Sequence, residues 1–262
     1  MIRKIYRILF SEKTRLQFHI ILMKLKALFL RGNRYFCPCC GKGSSKFLRK
    51  GNGLEYRENA VCPNCGSLER TRLLYLYLKN KTQIFHGSSR ILHFAPEHIL
   101  KKKLIKNPNY KDVDINPNFA TLKMDITDIQ FPDNYFDFII CSHVLGHIPD
   151  EKKALNELFR VLKPDGNLFI LSLLDPNIHE TLEDPDAITP LQKLHKYGEK
   201  DLERLYGEDF SKRISTSEIR IEKIDYRINF TEQERQKMSL GDGKREIIYK
   251  VVKTSQHCFH LF

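Results

Sequence analysis

The stretch FDFIICSHVLGHIPDEKKALNELFRVLKPDGNLFILSL, residues 136–173, decides the fold of this chain. Its two ends are short apolar runs, Phe138 to Cys141 and Leu168 to Leu173, with almost no polar alternation. Such runs are typical of parallel strands that are covered on both faces. Between them, apolar residues recur at the spacing of one helical face: Leu155, Leu158, Phe159 and Leu162. The stretch therefore predicts a unit of strand, helix and strand.

The boundaries of this unit place a loop where ligands bind. Asp150 is positioned to cap the helix at its start. Lys163 to Gly166 should end the helix in a tight turn, because proline cannot continue a helix and Asp-Gly accepts turn dihedrals. A right-handed crossover leaves the loop from Ser142 to Pro149 at the carboxyl edge of the sheet. Ligands of open α/β sheets bind at that edge.

Further segments extend the sheet on both sides of this unit. A first strand is predicted at Arg90 to Phe94, followed by a turn at residues 95–97 and a helix to Ile105. Only about eight residues separate the next two predicted strands, which is too few for a full crossover helix. The remaining predicted strands are Lys111 to Ile115, Met124 to Ile126, Ile224 to Ile228 and Ile247 to Val252. We predict an α/β fold with a Rossmann-like, doubly wound, mostly parallel sheet whose last strand is antiparallel.

The positive charge of the chain is concentrated near its start. Of the formal net charge of +12, residues 1–60 carry +11, from 14 Lys and Arg against three Glu. Within this region the segment Leu16 to Leu30 is apolar, but Lys24 and Lys26 interrupt it, so neither a transmembrane span nor a signal peptide is predicted. A helix packed on its own protein, contact of residues 1–34 with an anionic membrane, and contact with RNA all remain open.

Two copies of the pattern Cys-Pro-x-Cys-Gly predict a structural zinc site. Each pair offers two thiolates from one tight turn, and four thiolates make a closed tetrahedral site. The glycine after each pair allows the backbone to turn. Cys39 is left over, and the pairing argues against a disulfide framework and for a reducing, cytoplasmic compartment. The predicted zinc ligands are Cys37, Cys40, Cys62 and Cys65.

These features divide the chain into three parts. Residues 1–33 form a basic, hydrophobic N-terminal helix, and residues 34–85 form a small zinc-ribbon module with a linking helix to about Lys81. Ser67 is placed to cap the linking helix. Residues 86–262 form the α/β domain, with an irregular lid inserted at about residues 175–210.

The motifs MDIT, FPDNYFDFIICSHVLGHIPD and ELFRVLKPDGNLFIL carry a family resemblance. In this order, after a first strand and an acid that ends the second, they resemble class I S-adenosylmethionine-dependent methyltransferases of the methyltransferase type 11 group. The segments NRYFCPCCGK and NAVCPNCGSLERTRLL are similar to those of bacterial methyltransferases with a zinc ribbon in front of such a domain. The resemblance implies S-adenosylmethionine as the methyl donor.

The resemblance also implies where the donor binds. Asp114 would accept hydrogen bonds from the ribose, and Asp125 with Ile126 would frame the adenine. Cys141, Ser142 and His143 would line the methionine side. The alternative for both acids is that they only cap strand ends or turns. In the first motif, His93, Ala95 and Glu97 stand where the family has an acid and two glycines. The predicted donor-binding residues are His93, Phe94, Ala95, Pro96, Glu97, Asp114, Ile115, Asp125, Ile126, Cys141 and Ser142.

His143 and His147 are the candidate catalytic residues. They are four residues apart after the central strand, and either could act as a general base, because histidine titrates close to working pH. A second metal site at this pair is an alternative, although Gly146 stands where an acidic ligand is expected from the resemblance.

The function predicted from the sequence is methyl transfer from S-adenosylmethionine, at oxygen, to a small molecule or a glycan precursor of the cell surface. Two alternatives remain open. One is an RNA methyltransferase that grips phosphates with its basic zinc module. The other is a non-enzymatic zinc-ribbon adaptor, suggested by the substitutions at His93 and Glu97.

Overall fold

A seven-stranded sheet forms the centre of the molecule in the computed structural model, which describes residues 10, 12–51, 54 and 56–254. The strand order is β12-β13-β9-β8-β5-β6-β7, and β13 alone among these strands runs antiparallel to its neighbours. The predicted doubly wound, Rossmann-like sheet with an antiparallel last strand is confirmed. The sheet strands are β5 (Ile91–Phe94), β6 (Tyr110–Asp114), β7 (Leu122–Lys123), β8 (Phe136–Ser142), β9 (Leu162–Leu171), β12 (Ile219–Ile224) and β13 (Ile248–Lys253).

Helices and short strands surround this sheet. The described helices are α1 (Glu12–Phe29), α2 (Glu69–Lys81), α3 (His98–Leu104), α4 (Glu151–Val161), α5 (Pro190–Tyr197), α6 (Phe210–Arg213) and α7 (Glu232–Met238), with 3-10 turns at Leu145–His147 and Tyr226–Asn229. Four short strands form two antiparallel pairs near the start of the chain: β1 (Tyr35–Cys37), β2 (Lys42–Ser44), β3 (Leu48–Gly51) and β4 (Tyr56–Val61). A further pair, β10 (Leu182–Glu183) and β11 (Arg204–Leu205), lies in the predicted lid.

The central unit folds as its sequence predicts, with one difference. The Asp150 side chain accepts a hydrogen bond from the backbone N–H of Lys153 and caps α4, as predicted. The helix ends before Lys163, as predicted, but residues 163–166 are counted within β9, where they are looped out between Leu162 and Asn167 as a wide bulge instead of a separate turn before the strand. Asp165 has a positive φ of 60°, and the pairing of β8 with β9 shifts register beside Phe136. The strand therefore keeps its direction through an irregular first part, with Leu162 and Asn167 both paired to β8.

Two other strand predictions need correction. The predicted edge strand at residues 224–228 lies earlier, at β12, because the Asp225 side chain accepts a hydrogen bond from the Arg227 N–H and starts a 3-10 turn. The predicted third strand at residues 124–126 also lies earlier, at β7. The loop of residues 115–121 joins β6 to β7 without a helix, as the short spacing predicts.

The two faces of the sheet are covered differently. Leu92, Phe94 and Cys141 lie in the core on one face, together with α4. Ile91 and Ile140 lie in the core on the other face, which α2 and α3 cover. Because successive side chains of a strand alternate between faces, His93 and Ser142 point to the side of α2 and α3.

The helix α1 and the zinc-ribbon region precede this sheet. Ser67 does not cap α2, whose N-cap residue is Leu68 and makes no side-chain cap bond; the Ser67 hydroxyl lies among the cysteine sulfurs instead. In α1, Ala27 is buried, whereas a row of large apolar side chains is exposed: Phe18, Ile21, Leu22, Leu25, Leu28 and Phe29. Packing of this helix on its own protein, one of the sequence interpretations, is seen at Ala27 in its last turn, among those side chains of α1 that the structure describes. Within the described residues, no helix has the length and apolar character needed to cross a membrane.

Candidate functional site

The four predicted zinc ligands come together at one point. Their sulfur atoms all lie within 4.8 Å of one another, with 3.6 Å between Cys37 and Cys65 and 3.9 Å between Cys40 and Cys62. A tetrahedral zinc with Zn–S bonds of about 2.3 Å separates its sulfurs by about 3.8 Å. The cluster therefore fits a tetrahedral metal ion with four thiolate ligands.

Local backbone geometry produces this cluster. Gly41 and Gly66 follow the two cysteine pairs with φ of 70° and 75°, the conformation that glycine adopts without strain. Their N–H groups donate to the carbonyls of Cys37 and Cys62 at 2.8 Å and close the two knuckles. Cys39 lies outside the cluster, with its sulfur 3.8 Å from the carbonyl of Thr71.

Two acids predicted to bind the donor lie at the carboxyl ends of β6 and β7. Asp114 is the last residue of β6, and its Oδ1 accepts a hydrogen bond from the backbone N–H of Asn116 at 2.8 Å. Asp125 follows β7, and its Oδ1 accepts from both the N–H and the hydroxyl of Thr127. Both carboxylates therefore shape their own loops, as the structural alternative proposed, and both stand at the edge where the donor is expected.

The atypical first motif forms a buried hydrogen-bonded chain. His93 is fully buried, with Nδ1 2.9 Å from the hydroxyl of Tyr110 and Nε2 2.9 Å from Oε2 of Glu97. Burial by itself would raise the pKa of Glu97, but the hydrogen bond and charge of His93 together with the charge of Arg70 outweigh it and lower that pKa. Ala95, at the place of the first glycine, adopts a positive φ of 45°. The backbone thus keeps a left-handed bend without glycine.

Two polar atoms beside this chain have no hydrogen-bond partner. Ser142 is 4% exposed, and in the described part of the chain neither its Oγ nor Oε1 of Glu97 forms a hydrogen bond of ordinary length, although the Ser142 hydroxyl is near enough to lower the pKa of Glu97. Buried polar atoms are normally satisfied, so this pair offers acceptor sites to a ligand. The residues of this edge therefore fit a methyl donor whose N–H or O–H groups lie at this point.

Arg70 is a residue of this edge that the sequence analysis missed. It lies in the first turn of α2, and its Nε is buried without a partner. In the sequence, the only indication was its place in the segment after the second cysteine pair. No local sequence pattern shows that the packing of α2 places Arg70 on the side of Glu97. Burial is the main cause that lowers the pKa of Arg70, and the charge of Glu97 opposes that effect.

The other predicted donor-binding residues divide into buried and exposed ones. Phe94, Cys141 and Ile126 are almost completely buried in the core, so their side chains do not reach the edge. Burial raises the pKa of Cys141 to about 12, which leaves an inert thiol. Ile115 is 61% exposed, and Pro96 is partly exposed beside it at the ends of the strands.

The two candidate catalytic histidines are both fixed by backbone carbonyls. Nε2 of His143 lies 3.0 Å from the carbonyl oxygen of Arg245, so this nitrogen donates and Nδ1 keeps its lone pair. Burial, followed by the charge of Arg70, lowers the pKa of His143 well below 6.5. Nδ1 of His147 lies 3.0 Å from the carbonyl oxygen of Asp201 and donates to it. These contacts fix the orientation of both rings, and the lowered pKa of His143 keeps that ring neutral.

The lid brings two acids to His147. Ligand atoms of His147, Glu199 and Asp201 lie within 4.8 Å of one another. Glu199 already forms an ion pair with Arg245, at 2.8 Å between Oε1 and a guanidinium nitrogen. The lid thus brings acids close to the place where Gly146 stands instead of the expected acidic ligand. One of these acids, Glu199, is already paired with Arg245.

Comparison with known proteins agrees with this geometry. Residues 88–170 match the family described as "Methyltransferase domain". The chain is 35% identical over 85 residues to the ubiquinone/menaquinone biosynthesis C-methyltransferase UbiE of Vibrio cholerae, covering 32% of this chain and 29% of that protein. The corresponding protein of Yersinia enterocolitica is 36% identical over 89 residues, covering 34% of this chain and 35% of that protein. The chain thus spans about a third of the length of these curated relatives.

Solved structures with a similar arrangement are more distant. The YcgJ protein of Bacillus subtilis has a TM-score of 0.48 and 15% identity, covering 70% of this chain and 98% of that one. A SAM dependent methyltransferase from Archaeoglobus fulgidus has a TM-score of 0.43 and 17% identity, covering 70% and 93%. These likenesses carry no argument about activity. The matched sequence and the strand order identify residues 88–170 as a class I S-adenosylmethionine-dependent methyltransferase domain of the methyltransferase type 11 group.

Proposed function

We propose that the chain is an enzyme that transfers a methyl group from S-adenosylmethionine to a small molecule. The observation that carries the proposal is the coincidence of the matched residues 88–170 with a polar carboxyl edge, where Asp114 ends β6 and Ser142 ends β8. The donor supplies a methyl group already activated on a sulfonium sulfur, so positioning and exclusion of water contribute most of the catalysis. Asp114 would bind the ribose hydroxyls and Asp125 the adenine side, as the family resemblance implies.

We further propose oxygen as the acceptor atom, on a small molecule or a glycan precursor. The new bond joins oxygen to the methyl carbon, the bond from sulfur to that carbon breaks, and the hydroxyl proton goes to a base. Nδ1 of His143 has the lone pair for that proton. The curated relatives are named as C-methyltransferases, so carbon is the alternative acceptor.

Isothermal titration of zinc-loaded protein with S-adenosylmethionine and S-adenosylhomocysteine tests the first step. We expect both to bind, and Asp114→Ala to weaken both by roughly 10- to 100-fold, since a charged group loses its hydrogen bonds. Asp128→Ala is the matched control, because this exposed acid bonds only to the Gln130 side chain nearby. Absence of heat with either ligand would leave the non-enzymatic adaptor as the better explanation.

A donor carrying a ¹³C-methyl group distinguishes the acceptor atoms. Incubation with fractionated small molecules should give a product whose methyl carbon has the chemical shift of a methyl ether. A methyl resonance typical of carbon attachment would instead favour the chemistry that the relatives' names describe. Incorporation of label into RNA, lost at high salt, would favour the RNA methyltransferase.

A structural zinc ion and a membrane contact complete the proposal. Zinc would be held by the four cysteines, with no open position for chemistry. The exposed apolar row on α1 and the +11 charge of residues 1–60 support contact with an anionic lipid surface at the cytoplasmic side. Sedimentation with phosphatidylserine vesicles tests this contact, and we expect Ile21→Glu with Leu25→Glu to abolish it. Equal sedimentation of the double variant and the unaltered chain would refute it.

A further inference from the structure

Unpartnered buried atoms are concentrated at one place in the structure. The described part of the chain contains five buried side-chain nitrogen or oxygen atoms without a hydrogen-bond partner. Three of the five belong to Arg70, Glu97 and Ser142, which come from three different elements. Because native proteins satisfy nearly all buried polar atoms, such a concentration marks a place where a ligand completes the hydrogen bonds.

The fold brings these three residues to one side of the sheet. Strands β5 and β8 are neighbours, with His93 opposite Ile140 and Phe94 opposite Cys141. Ser142 therefore lies on the same face as His93, under the helix that carries Arg70. The helix α2 packs on this face, and Arg70 lies in its first turn. In agreement with this placement, the charge of Arg70 lowers the pKa of both Glu97 and His143.

The buried chain around His93 orients the Glu97 carboxylate. Nε2 of His93 contacts Oε2, and the Tyr110 hydroxyl contacts Nδ1 of the same ring. Only 15% of the Glu97 side chain is exposed, and Oε1 is left without a protein partner. His93 thus fixes Oε2 of Glu97, and Oε1 is left to accept a hydrogen bond from a ligand that binds beside Ser142.

We propose that Arg70, Glu97 and Ser142 bind the amino-acid end of the methyl donor, an inference that rests on the proposed function. Oε1 of Glu97 and Oγ of Ser142 accept hydrogen bonds from the α-ammonium group. The guanidinium of Arg70 donates to the α-carboxylate, for which its planar array of N–H groups is suited. The cationic Arg70 thus pairs with the α-carboxylate of the donor, and the anionic Glu97 pairs with its α-ammonium group.

A consequence is that the zinc-ribbon module takes part in donor binding. Arg70 follows the second cysteine pair by five positions, in the first turn of the helix that links this module to the sheet. In the family, a glycine-rich turn lets the backbone approach the donor. In this chain, side chains bind the donor at that place instead. His93 and Glu97 therefore serve the donor site rather than block it.

The test compares two ligands that differ only at the amino-acid end. S-adenosylhomocysteine carries the amino-acid group, and 5′-methylthioadenosine has the same nucleoside and a thioether without it. On the full, zinc-loaded chain, we expect Arg70→Met to weaken S-adenosylhomocysteine by roughly 10- to 100-fold and to change 5′-methylthioadenosine by less than about twofold. Glu97→Gln should act in the same direction. Lys79→Met is the control, because it removes an exposed charge from the last turn of the same helix.

Each outcome decides between distinct conclusions. Unchanged S-adenosylhomocysteine affinity in both Arg70→Met and Glu97→Gln would overturn the inference while leaving the proposed function intact. Equal losses for both ligands would also overturn it, because they indicate a general structural role. If neither ligand binds the unaltered chain, the proposed function itself fails. Zinc content and circular dichroism of each variant show whether it is folded.

Discussion

The helix α2 carries two arginines, two residues apart, whose surroundings differ completely. Arg72 is fully buried, and its guanidinium donates to the carbonyls of Ala60, Ser67 and Ser239 while stacking 4.9 Å from the ring of Phe47. Arg70 faces the sheet edge, and its Nε has no partner. The difference indicates that Arg72 stabilises the contact between the zinc-ribbon module and the α/β domain, whereas Arg70 is kept for a ligand.

The largest effect is expected in the zinc-ribbon module, which Arg72 contacts through the carbonyls of Ala60 and Ser67. Cys62→Ala removes one of four sulfurs and should release the metal, since structural zinc contributes directly to folding. We expect the melting temperature to fall by roughly 10 °C or more. Metal analysis and thermal unfolding measure both effects. Cys39→Ala is the control, because this sulfur lies outside the cluster; full metal content in Cys62→Ala would contradict the prediction.

The two arginines themselves give the next test. Arg72→Met leaves three buried carbonyls without their donor and should lower the free energy of unfolding by roughly 3 kcal/mol. Arg70→Met removes a buried charge that has no hydrogen-bonded partner at Nε, so we expect stability to be unchanged or raised. Urea unfolding of both variants, without ligand, provides the measurement. Equal destabilisation would remove the distinction between the two arginines.

Glu246 is a buried acid that, like Arg70, has no hydrogen-bonded partner of opposite charge among the described residues. It is 1% exposed, accepts hydrogen bonds from the N–H groups of Gly243 and Arg245, and burial raises its pKa to about 7. Since the Glu246 carboxyl ionises at lower pH in the unfolded chain than in the folded one, the unaltered protein should lose roughly 2 kcal/mol of stability as the pH rises from about 5 to about 7.

Glu246→Gln should remove this pH dependence. The amide oxygen can still accept from the same backbone N–H groups, and the side chain no longer titrates. Urea unfolding of both proteins across the pH range isolates the contribution of this residue as a difference. A difference that does not grow between about pH 5 and pH 7 would show that Glu246 ionises normally in the folded state.

The smallest effect is expected at the start of α4. Asp150→Ala removes the side chain that accepts the Lys153 N–H and should cost about 1 kcal/mol of stability without changing donor affinity. Denaturant unfolding and titration with S-adenosylhomocysteine check the two parts. A change in affinity would mean that the loop before α4 contributes to the donor site through this cap.

How far the sequence predicts the structure depends on the distance between the residues involved. The zinc cluster and the Asp150 cap follow from local patterns, because each knuckle or cap is formed by residues close in the chain. The donor site was predicted along the strand ends, where sheet topology places residues. The proposed grouping of Arg70 with Glu97 and Ser142 could not be predicted, since it depends on how α2 packs across the sheet.

In two of the errors, a short polar side chain forms a hydrogen bond that the sequence analysis did not foresee. Ser67 was expected to cap α2, but its hydroxyl lies 3.2 Å from the sulfur of Cys37, a contact that exists only when the module has folded. The strand predicted at residues 224–228 was displaced by the side chain of Asp225, which forms a local turn. The first error thus comes from a contact between residues far apart in the chain, and the second from a local side-chain hydrogen bond that competes with strand formation.

The position of β13 has a consequence for the order of events during synthesis. This strand lies between β9 and β12, yet it is made long after β9 leaves the ribosome, because Leu171 and Ile248 are far apart in the chain. Until it emerges, the nascent sheet has an open edge at β9 that can pair with other chains. The sheet is therefore completed by insertion of its antiparallel member, and this step is where chaperone protection matters most.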